Sequence, residues 1–195
     1  MKSLEFLLSD PQKIAYQQSS GTKSESIRCF LAALSYLGIP ETLADVGCGE
    51  GHLVRVAAQL GIQSFGIDNN LPVGLSFGNG VLERFDLARF QTFKKYETVL
   101  CWEVAEHLPF DATNNFCDLL AGMTERILIF SAAQVGQGGA GHLNEQPLIY
   151  WREKLESRGL VYQSLQSSFL SDMWRNIAPV AWWYSKNCQV FRCEK

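Results

Sequence analysis

Three side chains able to move a proton or hold a metal ion stand together in TVLCWEVAEHLP, residues 98–109: Glu103, Glu106 and His107. An imidazole titrates near neutrality, at about pH 6.5, so His107 can accept a proton from a hydroxyl at physiological pH. It can equally be a surface histidine after a helix start. A second histidine, His142, lies in the Gly-rich stretch GQGGAGHLNEQ, followed by Asn144, Glu145 and Gln146. Long loops of this kind are usually functional or mobile, although Asn144 can also serve simply as a helix cap. Upstream, DVGCGEG places Gly47, Gly49 and Gly51 at alternate positions after Asp45. Glycine lets a backbone approach a ligand closely and adopt positive φ. The G-x-G-x-G spacing differs from the G-x-G-x-x-G of dinucleotide folds. A tight structural turn and a nicotinamide or flavin loop are the lesser alternatives. Asp68, in FGIDNN about 20 residues beyond the loop, is placed to accept hydrogen bonds from ribose hydroxyls.

These residues can act together only if strands and helices carry them to one edge. The spacing of Ile27, Phe30, Leu31, Leu34 and Leu37 predicts a helix, with Thr22 and Glu25 at capping-box spacing and Gly38 and Pro40 as its stop. Residues 1–20 read as an arm or a further short helix. Short apolar runs then alternate with helical patterns, the signature of βαβ units. Strands are expected at Leu43–Val46, Ser64–Asp68, Glu83–Asp86, Thr98–Trp102 and Ile127–Phe130. The run at 98–102 is apolar throughout, as a parallel strand buried on both faces should be. Helices are expected around Leu53–Leu60, closed by Gly61, around Phe116–Met123, and over Glu145–Arg158 with Pro147 in the first turn and Gly159 at the end. Asn69–Gly80 is too broken by Gly, Asn and Pro for a long helix. Gln189–Arg192 reads as a final antiparallel strand at or near the sheet edge.

The 195 residues suit one domain spanning 1–195, with a helical lead-in over 1–38 and a core over 40–195. Hydrophobic residues at 47% and charged residues at 19% fit an ordinary globular core. A net charge of −3 with scattered Lys and Arg argues against a nucleic-acid partner. The apolar patch near the N-terminus is too short for a signal peptide, and no apolar run is long enough to span a membrane. The six cysteines, at 29, 48, 101, 117, 188 and 193, form no C-x-x-C pair and read as free thiols of a cytoplasmic protein.

The loop DVGCGEG closely resembles the first motif of class I S-adenosylmethionine-dependent methyltransferases. The stretches EVAEHLP and GQGGAGHLNEQ, with the terminal WWYSKN, resemble a bacterial subfamily often linked to surface-glycan or secondary-metabolite pathways. The resemblance implies an α/β, Rossmann-like fold: a mostly parallel seven-stranded sheet, the last strand antiparallel, with helices on both faces. It implies S-adenosylmethionine as cofactor, with Asp45 on its amino group, Gly47, Cys48, Gly49 and Gly51 around its tail, and Asp68 and Asn69 at the ribose. Asp86 and the Leu87 backbone would meet the adenine, although Asp86 can also be a helix cap. Trp102 and Glu103 would flank the cofactor near the transferring methyl. His107 is then the first choice of base, His142 the second, with Glu106 beside them. The acceptor is expected to be a small molecule or glycan, in a monomer or homodimer.

The spacing E-x-x-E-H also resembles the metal-binding stretch of ubiquinone-biosynthesis and small-RNA O-methyltransferases. That likeness raises a divalent ion on Glu103, Glu106, His107 and His142 as an alternative, although metal-free relatives share the stretch. A non-catalytic cofactor-binding protein is a further alternative. Trp174, Trp182, Trp183 and Tyr184 suit either substrate stacking or core and interface packing.

Overall fold

The computed structural model describes residues 21–71 and 75–194; the expected arm at 1–20 and the side chain of Thr22 lie outside them. The helices are α1 (Gly21–Leu37), α2 (His52–Gln59), α3 (Thr113–Met123), α4 (Leu148–Glu156), α5 (Ser164–Ile177) and α6 (Trp182–Asn187). The strands are β1 (Thr42–Val46), β2 (Gln63–Asp68), β3 (Leu75–Phe77), β4 (Gly80–Arg84), β5 (Tyr96–Trp102), β6 (Thr124–Ser131), β7 (Leu160–Tyr162) and β8 (Gln189–Cys193). They form one sheet in the order β3-β4-β2-β1-β5-β6-β8-β7.

Strands β4, β2, β1, β5 and β6 run parallel. Strand β8 is antiparallel to both neighbours. Strand alternation divides the interior into two cores. Leu43, Leu100, Ile127 and Ile129 face one side and pack against Phe30 and Leu34 of α1, Val56 of α2, and Leu170 and Trp174 of α5. Ala44, Val99, Leu128 and Phe130 face the other, under Phe116 and Leu120 of α3 and Trp151 and Leu155 of α4. The α/β class and helices on both faces are as expected.

Several details differ from the expectation. The sheet has eight strands, not seven, because Leu75–Phe77 doubles back antiparallel on β4 within the segment read as irregular. The last strand, β8, is antiparallel and near the edge as expected, with only the three-residue β7 outside it. The third parallel strand ends at Arg84 rather than Asp86, since its register with β2 runs from Ser64–Gly80 to Asp68–Arg84. Helix α4 begins at Leu148, with Pro147 as an extended N-cap (ψ 152°). A proline drives the residue before it out of the helical region, so residues 145 and 146 cannot join the helix.

Glu25 also departs from its expected capping role. Its buried carboxylate accepts hydrogen bonds from the backbone N–H groups of Val180 (3.3 Å) and Ala181 (2.6 Å). With the bond from Trp174 Nε1 to the Cys29 carbonyl (3.0 Å), it ties α1 to the C-terminal helices. At the other end of that contact set, Lys23 reaches Glu50 of the glycine loop at 2.8 Å. Every cysteine is free. No helix among the described residues is long and apolar enough to cross a membrane.

Candidate active site

The chain leaves β1 toward β2 on one side, and β5 takes the place on β1's other side. The C-terminal ends of β1 and β5 therefore flank a topological switch point, where open α/β sheets bind ligands. The glycine loop follows β1 and the Glu103–His107 segment follows β5.

The loop is anchored by the Gly47 and Cys48 N–H groups, both donating to the Ile67 carbonyl (2.8 and 3.1 Å). Its glycines serve different ends. A Cβ at Gly47 would collide with Val104, and one at Gly51 would lie 2.5 Å from Leu82 Cδ1. Those two positions let the loop sit against its neighbours. Gly49, at φ 53°, meets nothing within 4 Å of its missing Cβ, so it faces open space. Cys48 is buried, and burial pushes its thiol pKa up; it fills space against Gly66.

Asp68 draws this loop to β2. Its Oδ2 accepts from Gly49 N–H and its Oδ1 from Asn70 N–H, each at 2.9 Å. Each oxygen keeps a lone pair for a further donor. Asn69 Oδ1 accepts from Leu87 N–H at 2.9 Å, so the side chain of Asn69 holds the loop after β4. Asp86 is more than half exposed and accepts from Ala88 N–H at 3.1 Å, as a turn former does. Asp45 is buried below the loop. Burial first, and the Asp68 charge second, raise its carboxyl pKa to about 7.

At the end of β5, Trp102 packs edge-on to Trp174 with ring centroids 4.9 Å apart, and lies 5.7 Å from Tyr184. Of the aromatic cluster, Trp174 is fully buried, Trp183 and Tyr184 are half-buried against the same core, and Trp182 is exposed. Glu103 follows with φ 54°, the single non-glycine positive φ among the described residues. Such a conformation costs energy and persists only when its surroundings enforce it. Here Glu103 N–H donates to the Ser131 carbonyl at 2.9 Å. Its carboxylate accepts from Gln137 Nε2 (3.1 Å) and from Asn187 Nδ2 (3.1 and 3.3 Å).

Beyond it, Glu106, His107 and His142 bring one carboxylate oxygen and two ring nitrogens within 4.8 Å of one another. Glu106 is fully buried, and neither of its carboxylate oxygens has a hydrogen-bond partner. Burial and the neighbouring Glu103 raise its pKa, while the nearby backbone amides of Glu106 and Ala133 oppose the shift. The Leu143 and Asn144 N–H groups donate to the Glu106 carbonyl (2.7 and 3.0 Å), which pins the Gly-rich loop over this segment. Both imidazoles use Nδ1: His107 toward the Gly141 carbonyl at 3.2 Å, His142 toward Glu145 Oε1 at 2.7 Å. Those partners only accept, so each Nδ1 carries a proton, and whenever the ring is neutral its lone pair is on Nε2.

Glu103 neighbours Glu106 but is not among the grouped ligand atoms; the structure brings together three of the four residues considered as ligands. Asn144 does not cap α4. Its Nδ2 donates to Thr113 Oγ1 at 3.1 Å, and its Oδ1 accepts from Gln146.

Residues 22–179 match the family described as a methyltransferase domain. The chain belongs to that family. No curated protein matches its sequence. Among solved structures, the chain is similar to magnesium protoporphyrin IX methyltransferase from Synechocystis PCC 6803 with bound S-adenosylhomocysteine, at 20% identity and a TM-score of 0.57, over 80% of this chain and 85% of that one. It also resembles the 1,6-didemethyltoxoflavin-N1-methyltransferase of Burkholderia thailandensis, at 10% identity and 0.61, over 98% and 87%. Human N-acetylserotonin methyltransferase is a third, at 14% and 0.59, over 100% and 60%. The expected class, an S-adenosylmethionine-dependent methyltransferase, is borne out by family and fold.

The residues of this methyltransferase fit the cofactor. A buried carboxylate at Asp45 suits an ammonium, the open face of Gly49 leaves room for a ligand's tail, and Asp68 retains acceptor capacity for hydroxyls. Sequence reasoning missed Gln137 and Asn187, which hold Glu103, and gave Glu145 no role. Only the polar character of these residues, within GQGG, NEQ and WWYSKN, signalled them.

Proposed function

We propose that the protein methylates a hydroxyl of a small-molecule or glycan-type acceptor, with His107 and His142 as the candidate proton acceptors. The observation that carries this reading is the pair of imidazoles whose Nδ1 atoms are each committed to an acceptor, which leaves Nε2 to take a proton, beside the buried Glu106. S-adenosylmethionine, when bound, supplies a methyl group already activated on a sulfonium, so the protein's work is to position and desolvate the acceptor. An acceptor hydroxyl must lose its proton as it is methylated. Nε2 of either histidine is free to take it, and the Glu106 carboxylate within 4.8 Å stabilises the resulting imidazolium. Asp45, the glycine loop and Asp68 bind the methionine and ribose portions; Asp86 and Leu87 border the adenine; Trp102 and Glu103 line the side nearer the methyl.

The test is methyl transfer from labelled S-adenosylmethionine to a panel of sugars and phenols, compared with amines. His107→Ala and His142→Ala should lower turnover by roughly 10²–10⁴-fold while S-adenosylhomocysteine still binds. Full turnover in both variants, or transfer confined to amines, would overturn it.

One observation favours a second reading. A buried carboxylate with neither oxygen partnered, facing two imidazoles, also fits a divalent cation held by Glu106, His107 and His142. Such an ion lowers the pKa of a bound hydroxyl. Chelator-treated protein that regains activity with magnesium or manganese, and loses that response in Glu106→Gln, supports the ion. Activity indifferent to chelator rejects it.

A further inference from the structure

We propose that Glu145 is a positioning residue that fixes His142 in its Nδ1–H tautomer and so aims the Nε2 lone pair at the reacting end of the site. This rests on the reading above that His142 acts there.

The carboxylate of Glu145 gathers three donors. Oε1 accepts from His142 Nδ1 at 2.7 Å and from Gly138 N–H at 2.7 Å; Oε2 accepts from Gly136 N–H at 2.8 Å. Gly136 and Gly138 both have positive φ, at 81° and 71°. Their amides can turn inward on one carboxylate because no side chain resists that backbone. Gly139 completes the arrangement: a Cβ there would strike the His142 ring. The loop is therefore wound around one glutamate and presses on one imidazole. A neutral imidazole in water favours a proton on Nε2, whereas a carboxylate on Nδ1 reverses that preference and holds the ring plane. The partner of His107 is a backbone carbonyl, which no substitution of a side chain removes. Control of the cluster's second imidazole thus falls to Glu145.

The chain has three histidines, so the tautomers can be read directly. The protein is labelled with ¹⁵N-histidine and its long-range ¹H–¹⁵N correlations are recorded at pH 9, with His142→Gln used for assignment. The wild-type protein should show His142 as Nδ1–H. Glu145→Gln should move it toward Nε2–H and lower kcat about 10–100-fold, with the thermal shift given by S-adenosylhomocysteine retained. A role limited to holding the loop would lower stability without changing the tautomer. An Nε2–H tautomer in the wild type, or an unchanged tautomer in a folded Glu145→Gln protein, overturns the proposal. If the variant fails to fold, an Nε2–H tautomer in the wild-type spectrum still overturns the proposal. A correct tautomer in a protein whose His142→Ala variant keeps full turnover would sustain the positioning and sink the base assignment instead.

Discussion

Replacing Asp45 by asparagine should make the ligand-free protein more stable and abolish its affinity for the cofactor. The side chain is buried beneath the glycine loop, and desolvation with the nearby Asp68 lifts its pKa from 3.8 to about 7. Those three units amount to roughly 4 kcal/mol against the ionised form. The folded state binds the proton more tightly than the unfolded state, so the penalty is full above pH 7. It shrinks by about 1.4 kcal/mol per unit as pH falls toward 4. Asparagine removes the charge at nearly constant volume. At pH 8 the gain is at most about 4 kcal/mol, which in a domain of this size is a rise in Tm on the order of 5–15 °C. At pH 5.5 about half of that advantage should be gone. A cationic ammonium bound beside Asp45 would recover the ionisation cost, so the wild type should show a large thermal shift with S-adenosylhomocysteine and Asp45→Asn almost none. Differential scanning fluorimetry at the two pH values, with and without that ligand, measures all four quantities. A variant no more stable than wild type at pH 8, or one that keeps the ligand shift, refutes the reasoning.

Other substitutions separate binding from folding. Gly49→Ala meets no atom within 4 Å but sits at φ 53°, so it should cost about 1 kcal/mol of stability while weakening S-adenosylhomocysteine binding measured by calorimetry. Gly47→Ala collides with Val104 at φ 81° and should instead lower Tm markedly. Glu25→Ala leaves the Val180 and Ala181 amides unpaired and should cost about 3 kcal/mol in chemical denaturation. Glu106→Gln removes a buried carboxylate with a raised pKa; its stability should exceed that of the wild type at pH 8, and the advantage should fade as the pH is lowered.

What could be read from the sequence follows the range of the constraint. Strand β5 was legible because a strand buried on both faces is apolar throughout, and the glycine loop because its backbone demands are met by adjacent residues. Asp68 was legible by its fixed distance from that loop. Strand β7 has three residues and β3 three, too few for a periodic signal, and each exists because a neighbouring strand offers hydrogen bonds. Helix α5 is rich in serine, and its apolar face, Leu170, Met173, Trp174 and Ile177, is confined to its C-terminal half, where it packs on the core shared with α1. The polar contacts are longer in range still. Asn187 meets Glu103 across 84 residues, and Glu25 meets Ala181 across 156. Neither pairing leaves a local pattern, because the acceptor and the donor belong to elements that approach only when the sheet is complete. The same reasoning explains why the donor of the methyl group was easier to recognise than the recipient. The residues that point to the donor most directly, the glycine loop and Asp68, lie within 25 residues of each other. The proposed acceptor face would be assembled from the end of β5, the loop after β6 and the end of α6, three segments whose order in space is set by the fold rather than by their spacing in the chain.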